Sequence, residues 1–194
     1  MSPGRLETFA DGVFAIAITL LVLEIPHPAV DETLGRELVG QWHAYLAYVL
    51  SFAIIGIVWV NHHVILRQFA RTDRAFLFIN VFFLMCVAFI PFPTALISED
   101  LGSDTAMLAY GATLTVTAAF FNVLWHYGRL RLLRPDADRR EVAGITRSYI
   151  PGVFVYGAAT LLALASPEAS FVVFAALAVV YVVSGSVWGP RDTG

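Results

Sequence analysis

Six apolar stretches of roughly 20 residues follow one another along the 194 residues, and about 20 residues is what an α-helix needs to cross a bilayer core. They lie at about 6–25, 43–66, 75–97, 106–128, 147–166 and 170–188. This pattern constrains the fold more than any local motif, because backbone polar groups in lipid must find their hydrogen bonds within the protein. Composition agrees: 58% of residues are hydrophobic, 14% are charged and mean hydropathy is +0.73. A soluble domain of this size does not have that balance. The expected fold class is an all-α membrane protein, a single domain of six transmembrane helices over residues 1–194.

The first stretch does not read as a cleavable signal, since its basic region is the single Arg5, it stays apolar too long and no small-residue cleavage site follows. Pro26 and Pro28 stop that helix, because proline donates no backbone hydrogen bond. Pro91 and Pro93 mark the end of the third span or a kink in it. The lone Cys86 sits in an apolar segment and reads as an inert buried thiol.

Arginine sets the orientation, for all twelve basic residues are arginines. Arg5, Arg67, Arg71, Arg74, Arg191 and the group from Arg129 to Arg147 fall on one side of the alternating spans. The other side holds Arg36 and the acids Asp31, Glu32, Glu37, Glu99, Asp100, Asp104 and Glu168. Positive-inside bias puts both termini of a multi-pass protein in the cytoplasm, and the expected location is the cell's inner (plasma) membrane. The acids could focus cations at an outer mouth, but a solvated acidic loop explains them as well.

Two residues of the first helix are out of place in lipid, the carboxylate of Asp11 and the hydroxyl of Thr19. At 100° per residue, Phe9, Gly12, Ile16, Leu20 and Leu23 fall within about 40° of one line, with Thr19 at its margin. Asp11 lies about 140° from Ile16, on the side of Glu7, Phe14 and Ile18. It also sits about 9 Å inside the cytoplasmic end of its helix. Trp59, Asn61, His62 and His63 on the second span, Asn80 on the third, and Asn122, Trp125 and His126 on the fourth reach a similar depth. Buried polar residues in membranes usually satisfy one another. Asp11 is therefore expected to bond the His62, His63 and Asn80 cluster and fasten the first helix, leaving its apolar face free. Proton sensing by the histidines and metal binding are the competing readings. No H-x-x-x-H or C-x-x-C spacing supports a tightly bound metal. No G-x-S-x-G, P-loop or H-E-x-x-H supports an enzyme.

Arg5, Phe9, Ala10 and Asp11 match the R-x-x-x-F-S-D signature that opens the first helix of the lysosomal potassium channel family, transmembrane protein 175. The likeness continues through G-V-F-A-I-A-I-T-L-L-V-L-E-I, and returns in W-V-N-H-H (Trp59 to His63) and F-I-P-F-P-T-A-L (Phe89 to Leu96). The sequence thus resembles the bacterial members of that family over about its first half, with Ala10 in place of the serine. The resemblance implies a homotetrameric potassium-permeable channel, its pore lined by the first helix of each six-span unit and lacking a carbonyl filter. It places the constriction at Ile16, with Leu20 and Leu23 as further apolar rings and Thr19 as a hydroxyl layer. Arg5, Phe9, Asp11, Trp59, His62, His63 and Asn80 become the structural signature and polar layer. Potassium and other monovalent cations are the expected permeants, the bilayer and three further copies of the chain the partners, and no cofactor, nucleic acid or catalysis is expected. The alternative is a proton-coupled secondary transporter that uses Asp11 with His62 and His63.

Overall fold

A computed structural model describes residues 3–28, 30 and 33–188, with the side chains of residue 3 and of 184–188 excepted. Arg191, Asp31 and Glu32, used above for orientation, lie outside the described residues. Eight α-helices occur among those described: α1 (Pro3–Leu20), α2 (Leu34–Gly40), α3 (Trp42–Arg67), α4 (Arg74–Phe89), α5 (Pro91–Glu99), α6 (Asp104–Arg131), α7 (Arg139–Leu162) and α8 (Pro167–Trp188). A 3-10 turn, Leu21–Glu24, extends α1.

Four segments are long and apolar enough to cross a membrane: Gly4–Glu24, Trp42–Leu66, Arg74–Glu99 and Asp104–Arg131. They match the first four expected spans to within a few residues, and the chain is an all-helical membrane protein. The third is two helices in series. Pro91 opens α5, and Ile90 keeps a right-handed helical conformation between it and α4, so the prolines interrupt the span without ending it. The fifth stretch begins earlier than expected, because the Asp138 carboxylate accepts the Arg140 N–H and caps α7. Its first turns carry Arg139, Arg140, Glu141 and Arg147, and its apolar part is short. α8 contributes a shorter apolar helix over Pro167–Val183. The small helix α2 was not expected from hydropathy; the Thr33 hydroxyl donating to Glu37 at its first turn is its local signal.

The helices form a bundle with α1 at its edge. α1 packs against α3 and α4, while α6 runs against α4, α5, α7 and α8. The turns gather at two ends. At one, Ala70 N–H donates to Leu132 O and Arg134 N–H to Gln68 O, both at 2.9 Å, pairing the α3–α4 turn with the α6–α7 turn. At the other, the Ser98 hydroxyl donates to Glu24 O, joining the end of α5 to the end of the first segment.

Close packing at the first of these ends rests on a glycine. A Cβ on Gly128 would overlap the Phe69 ring, with Cε1 at 2.6 Å. That ring is held edge-on against Phe76 at 5.2 Å and beside Trp125 at 5.9 Å. Gly128→Ala is expected to lower stability by about 1–3 kcal/mol through overpacking. Gly56→Ala, in the middle of α3 where a Cβ meets nothing within 4 Å, should instead leave stability unchanged or raise it by up to about 1 kcal/mol. Thermal unfolding of the two variants in detergent checks the contrast.

Candidate functional site

α1 carries two surfaces. Leu6, Ala10, Phe14, Ala17 and Leu21 recur every three or four residues and are buried against the bundle. Ala10, which stands where the R-x-x-x-F-S-D signature has serine, is fully buried in this seam. A small residue there lets helix backbones approach. Phe9, Ile16, Leu20 and Leu23 face outward, Ile16 at 61% exposure and Leu23 at 63%. Thr19 shares that face. Its hydroxyl donates to the Ile16 carbonyl at 2.9 Å, which turns the oxygen lone pairs outward as acceptors. Gly12 widens the surface, with nothing within 4 Å of a Cβ built there.

The polar layer exists, but it is divided into pairs. Trp59 Nε1–H donates to Asp11 Oδ1 at 2.8 Å, and His63 Nδ1 pairs with Glu7 Oε1. Asp11 therefore does not bond the histidines as expected. The reason is helical spacing. Glu7 and Asp11 lie one turn apart on α1, Trp59 and His63 one turn apart on α3, and the helices run antiparallel. Two rungs form, each between one acid and one ring nitrogen. His62 is about 100° round from His63 and points instead into the core, at 1% exposure.

His62 Nε2 lies 2.8 Å from Asn80 Oδ1. With the Asn80 amide oxygen facing the ring, Nε2–H is the donor of this pair, since an amide oxygen only accepts. The imidazole stacks on Phe83, at 5.4 Å and 12°, and tilts against Phe14 of α1 at 5.7 Å. His62 thus links α3 to α4 by a hydrogen bond and to α1 by ring packing. Arg5 is exposed and makes no ion pair among the described residues. Among those residues, no three His, Cys, Asp or Glu side chains gather as a metal site.

The family model described as the endosomal/lysosomal potassium channel TMEM175 matches residues 5–91. A potassium channel of Chamaesiphon minutus is 47% identical over 172 residues, covering 84% of this chain and 85% of that protein. The chain belongs to the TMEM175 family. A potassium channel of Streptomyces collinus is 40% identical over 186 residues, covering 92% of this chain and 90% of that one. The crystal structure of a lysosomal potassium-selective channel TMEM175 homolog from Chamaesiphon minutus superposes with a TM-score of 0.86 at 41% identity. It covers 94% of this chain and 97% of that one. These TMEM175 relatives are named as channels, not enzymes.

Residues 5–91 hold the outward stripe of α1 and all three polar pairs. Two members of the site escaped sequence reading: Glu7, which was placed on the correct face but given no partner, and Phe83, which lies among many apolar neighbours. A buried hydroxyl chain was also missed. Ser51 Oγ lies 2.9 Å from Thr94 Oγ1 and 3.1 Å from Tyr110 Oη, and Thr94 also donates to Ile90 O beside the Pro91 break. Scattered hydroxyls carry no spacing signal until the helices are assembled.

Trp59→Phe tests the outer rung. It keeps an aromatic ring but removes the donor to the Asp11 carboxylate, and because both residues are exposed in the subunit the loss is about 0.5–1.5 kcal/mol. A fall of that order in unfolding free energy is expected. An unchanged value would show that Asp11 is satisfied elsewhere.

Proposed function

We propose that this chain is one subunit of a potassium-permeable cation channel, four copies surrounding an axis lined by the outward face of α1. The observation that carries the reading is the position of that face. α1 sits at the edge of the subunit, and its stripe of Phe9, Ile16, Leu20 and Leu23 is left uncovered beside the Thr19 hydroxyl. The potassium-channel names of the relatives support the same reading.

In this reading α7 and α8 cross the membrane as well, giving six spans with both termini in the cytoplasm of a cell whose inner membrane holds the protein. The paired turns support the arrangement: Arg67, Arg71 and Arg74 flank one, Arg129 to Arg139 the other, and the two meet at one end of the bundle. The constriction is a ring of four Ile16 side chains, followed by rings of Leu20 and Leu23. An apolar ring excludes water and acts as gate and barrier together. An ion passing it sheds part of its hydration shell with no carbonyls in return. Potassium holds its water less tightly than sodium, so it loses less. Thr19 oxygens, their protons committed to the helix, offer partial coordination. Modest potassium over sodium selectivity follows.

The test is potassium flux into liposomes holding the purified protein, with and without a protonophore. Flux that needs no proton movement is the expected result. Flux strictly tied to protons would overturn the channel and return Asp11, His62 and His63 to a carrier mechanism.

A further inference from the structure

A cleft of about 610 Å³ opens where the end of α6 meets the start of α7, within the ~300–1,000 Å³ range of small-ligand sites. Four arginines line it, Arg129, Arg134, Arg139 and Arg147, together with an apolar floor of residues that includes Leu133 and Ile150. The nearby carboxylates are engaged elsewhere. Asp138 caps α7, Glu141 accepts from Gln68 Nε2 at 2.8 Å, and Asp73 accepts from Phe76 N–H and from Tyr127. Asp136 pairs with Arg134, whose hydrogen bonds hold its carboxyl below the usual range. Among the described residues, Arg129, Arg139 and Arg147 have no carboxylate partner. Arg129 contacts His126 Nδ1 at 3.3 Å, and its Nε is buried without a hydrogen bond.

Three uncompensated cations in one cleft repel each other, and an anion between them relieves the repulsion. Guanidinium forks match phosphate oxygens two at a time. The apolar floor lies beside the end of the α6 segment that is able to cross a membrane. The walls are fixed, because Trp125 Nε1–H donates to Thr146 Oγ1 at 3.1 Å and Asn122 Nδ2–H to Tyr149 O at 3.2 Å, tying α6 to α7. We infer that this cleft binds the phosphate of an anionic phospholipid, with its glycerol and upper acyl chain along Leu133 and Ile150. Basic pockets between membrane helices hold such headgroups.

The inference rests on reading α6 and α7 as crossing helices, so the experiment measures binding apart from flux. The association of spin-labelled phosphatidylglycerol and phosphatidylcholine is compared on wild type, R139Q/R147Q and R36Q in bilayers. Arg139, Arg147 and Arg36 are all exposed, so the fold should survive each change. Wild type and R36Q should prefer phosphatidylglycerol, and R139Q/R147Q should lose that preference by on the order of tenfold. Equal association of both lipids with wild type, or a preference that survives R139Q/R147Q, overturns the site. If soluble glycerol phosphate stabilises wild type but not R139Q/R147Q while the two lipids associate equally, the cleft binds free phosphate and the lipid assignment falls. Lipid preference without potassium flux would overturn the channel reading and leave the site standing.

Discussion

Ile16→Asn is expected to raise sodium flux by about tenfold or more, which corresponds to lowering its barrier by about 1.4 kcal/mol. Ile16 is 61% exposed on the outer face of α1, so an amide there should cost the subunit little stability. What changes is the ring that four copies make in the proposed assembly. Isoleucine offers an ion nothing in exchange for its water, and the barrier is that loss. Asparagine offers an oxygen acceptor from each copy and lets water remain. Sodium, which loses more in the dry ring, gains more from the wet one, and the potassium to sodium permeability ratio should move toward one. Reversal potentials under opposed potassium and sodium gradients measure it. An unchanged ratio would remove Ile16 from the constriction and shift attention to Leu20 or Leu23.

Thr19→Val separates coordination from dewetting. The Thr19 proton is already given to the Ile16 carbonyl, so the outward oxygen can only accept. Valine removes that acceptor and keeps the shape. If Thr19 returns part of the lost hydration, the variant passes less potassium without becoming permeable to sodium. That outcome differs in sign from Ile16→Asn, so the two positions are distinguishable on one assay.

The parts legible in the sequence are those that depend on one helix at a time. Length and hydropathy placed the first four spans, and the 100° projection of α1 separated Ile16, Leu20 and Leu23 from Phe14 before any packing was known. The partners of the polar groups depend on two helices and their register, and there the reading failed in detail. Depth alone put Asp11 level with His62, His63 and Asn80. The antiparallel register decided that Trp59 meets Asp11, that His63 meets Glu7, and that His62 turns inward. Proline was ambiguous for the same reason. Whether Pro91 ends a span or bends it depends on Ser51, Thr94 and Tyr110, which come from three helices to hold the break.

His62→Ala should lower stability by about 3 kcal/mol, near the bottom of the range for deleting a large buried ring. By the 2–4 °C per kcal/mol typical of chains of 150–250 residues, that is a fall of about 6–12 °C in Tm. Two losses add in this variant. The ring leaves a void between Phe14 and Phe83, and Asn80, at 0% exposure, loses the hydrogen bond to its amide oxygen. The Asn80 Nδ2 group is itself buried with no partner, so His62→Ala leaves the whole amide unsatisfied. His62→Phe separates the two losses, because it fills the space and removes only the hydrogen bond. Interhelical hydrogen bonds in membranes average about 0.6 kcal/mol and reach about 1.7, while an orphaned buried polar group costs about 1–3 kcal/mol. His62→Phe should therefore fall between wild type and His62→Ala, and His62→Phe with Asn80→Leu should recover most of the deficit. If the double variant is no more stable than His62→Phe alone, the pair is not an isolated hydrogen bond. Because His62 touches α1 through Phe14, the same series should alter flux in step with stability and leave the permeability ratio unchanged. A shifted ratio would mean that the polar layer sets the width of the pore face as well as holding α1 in place.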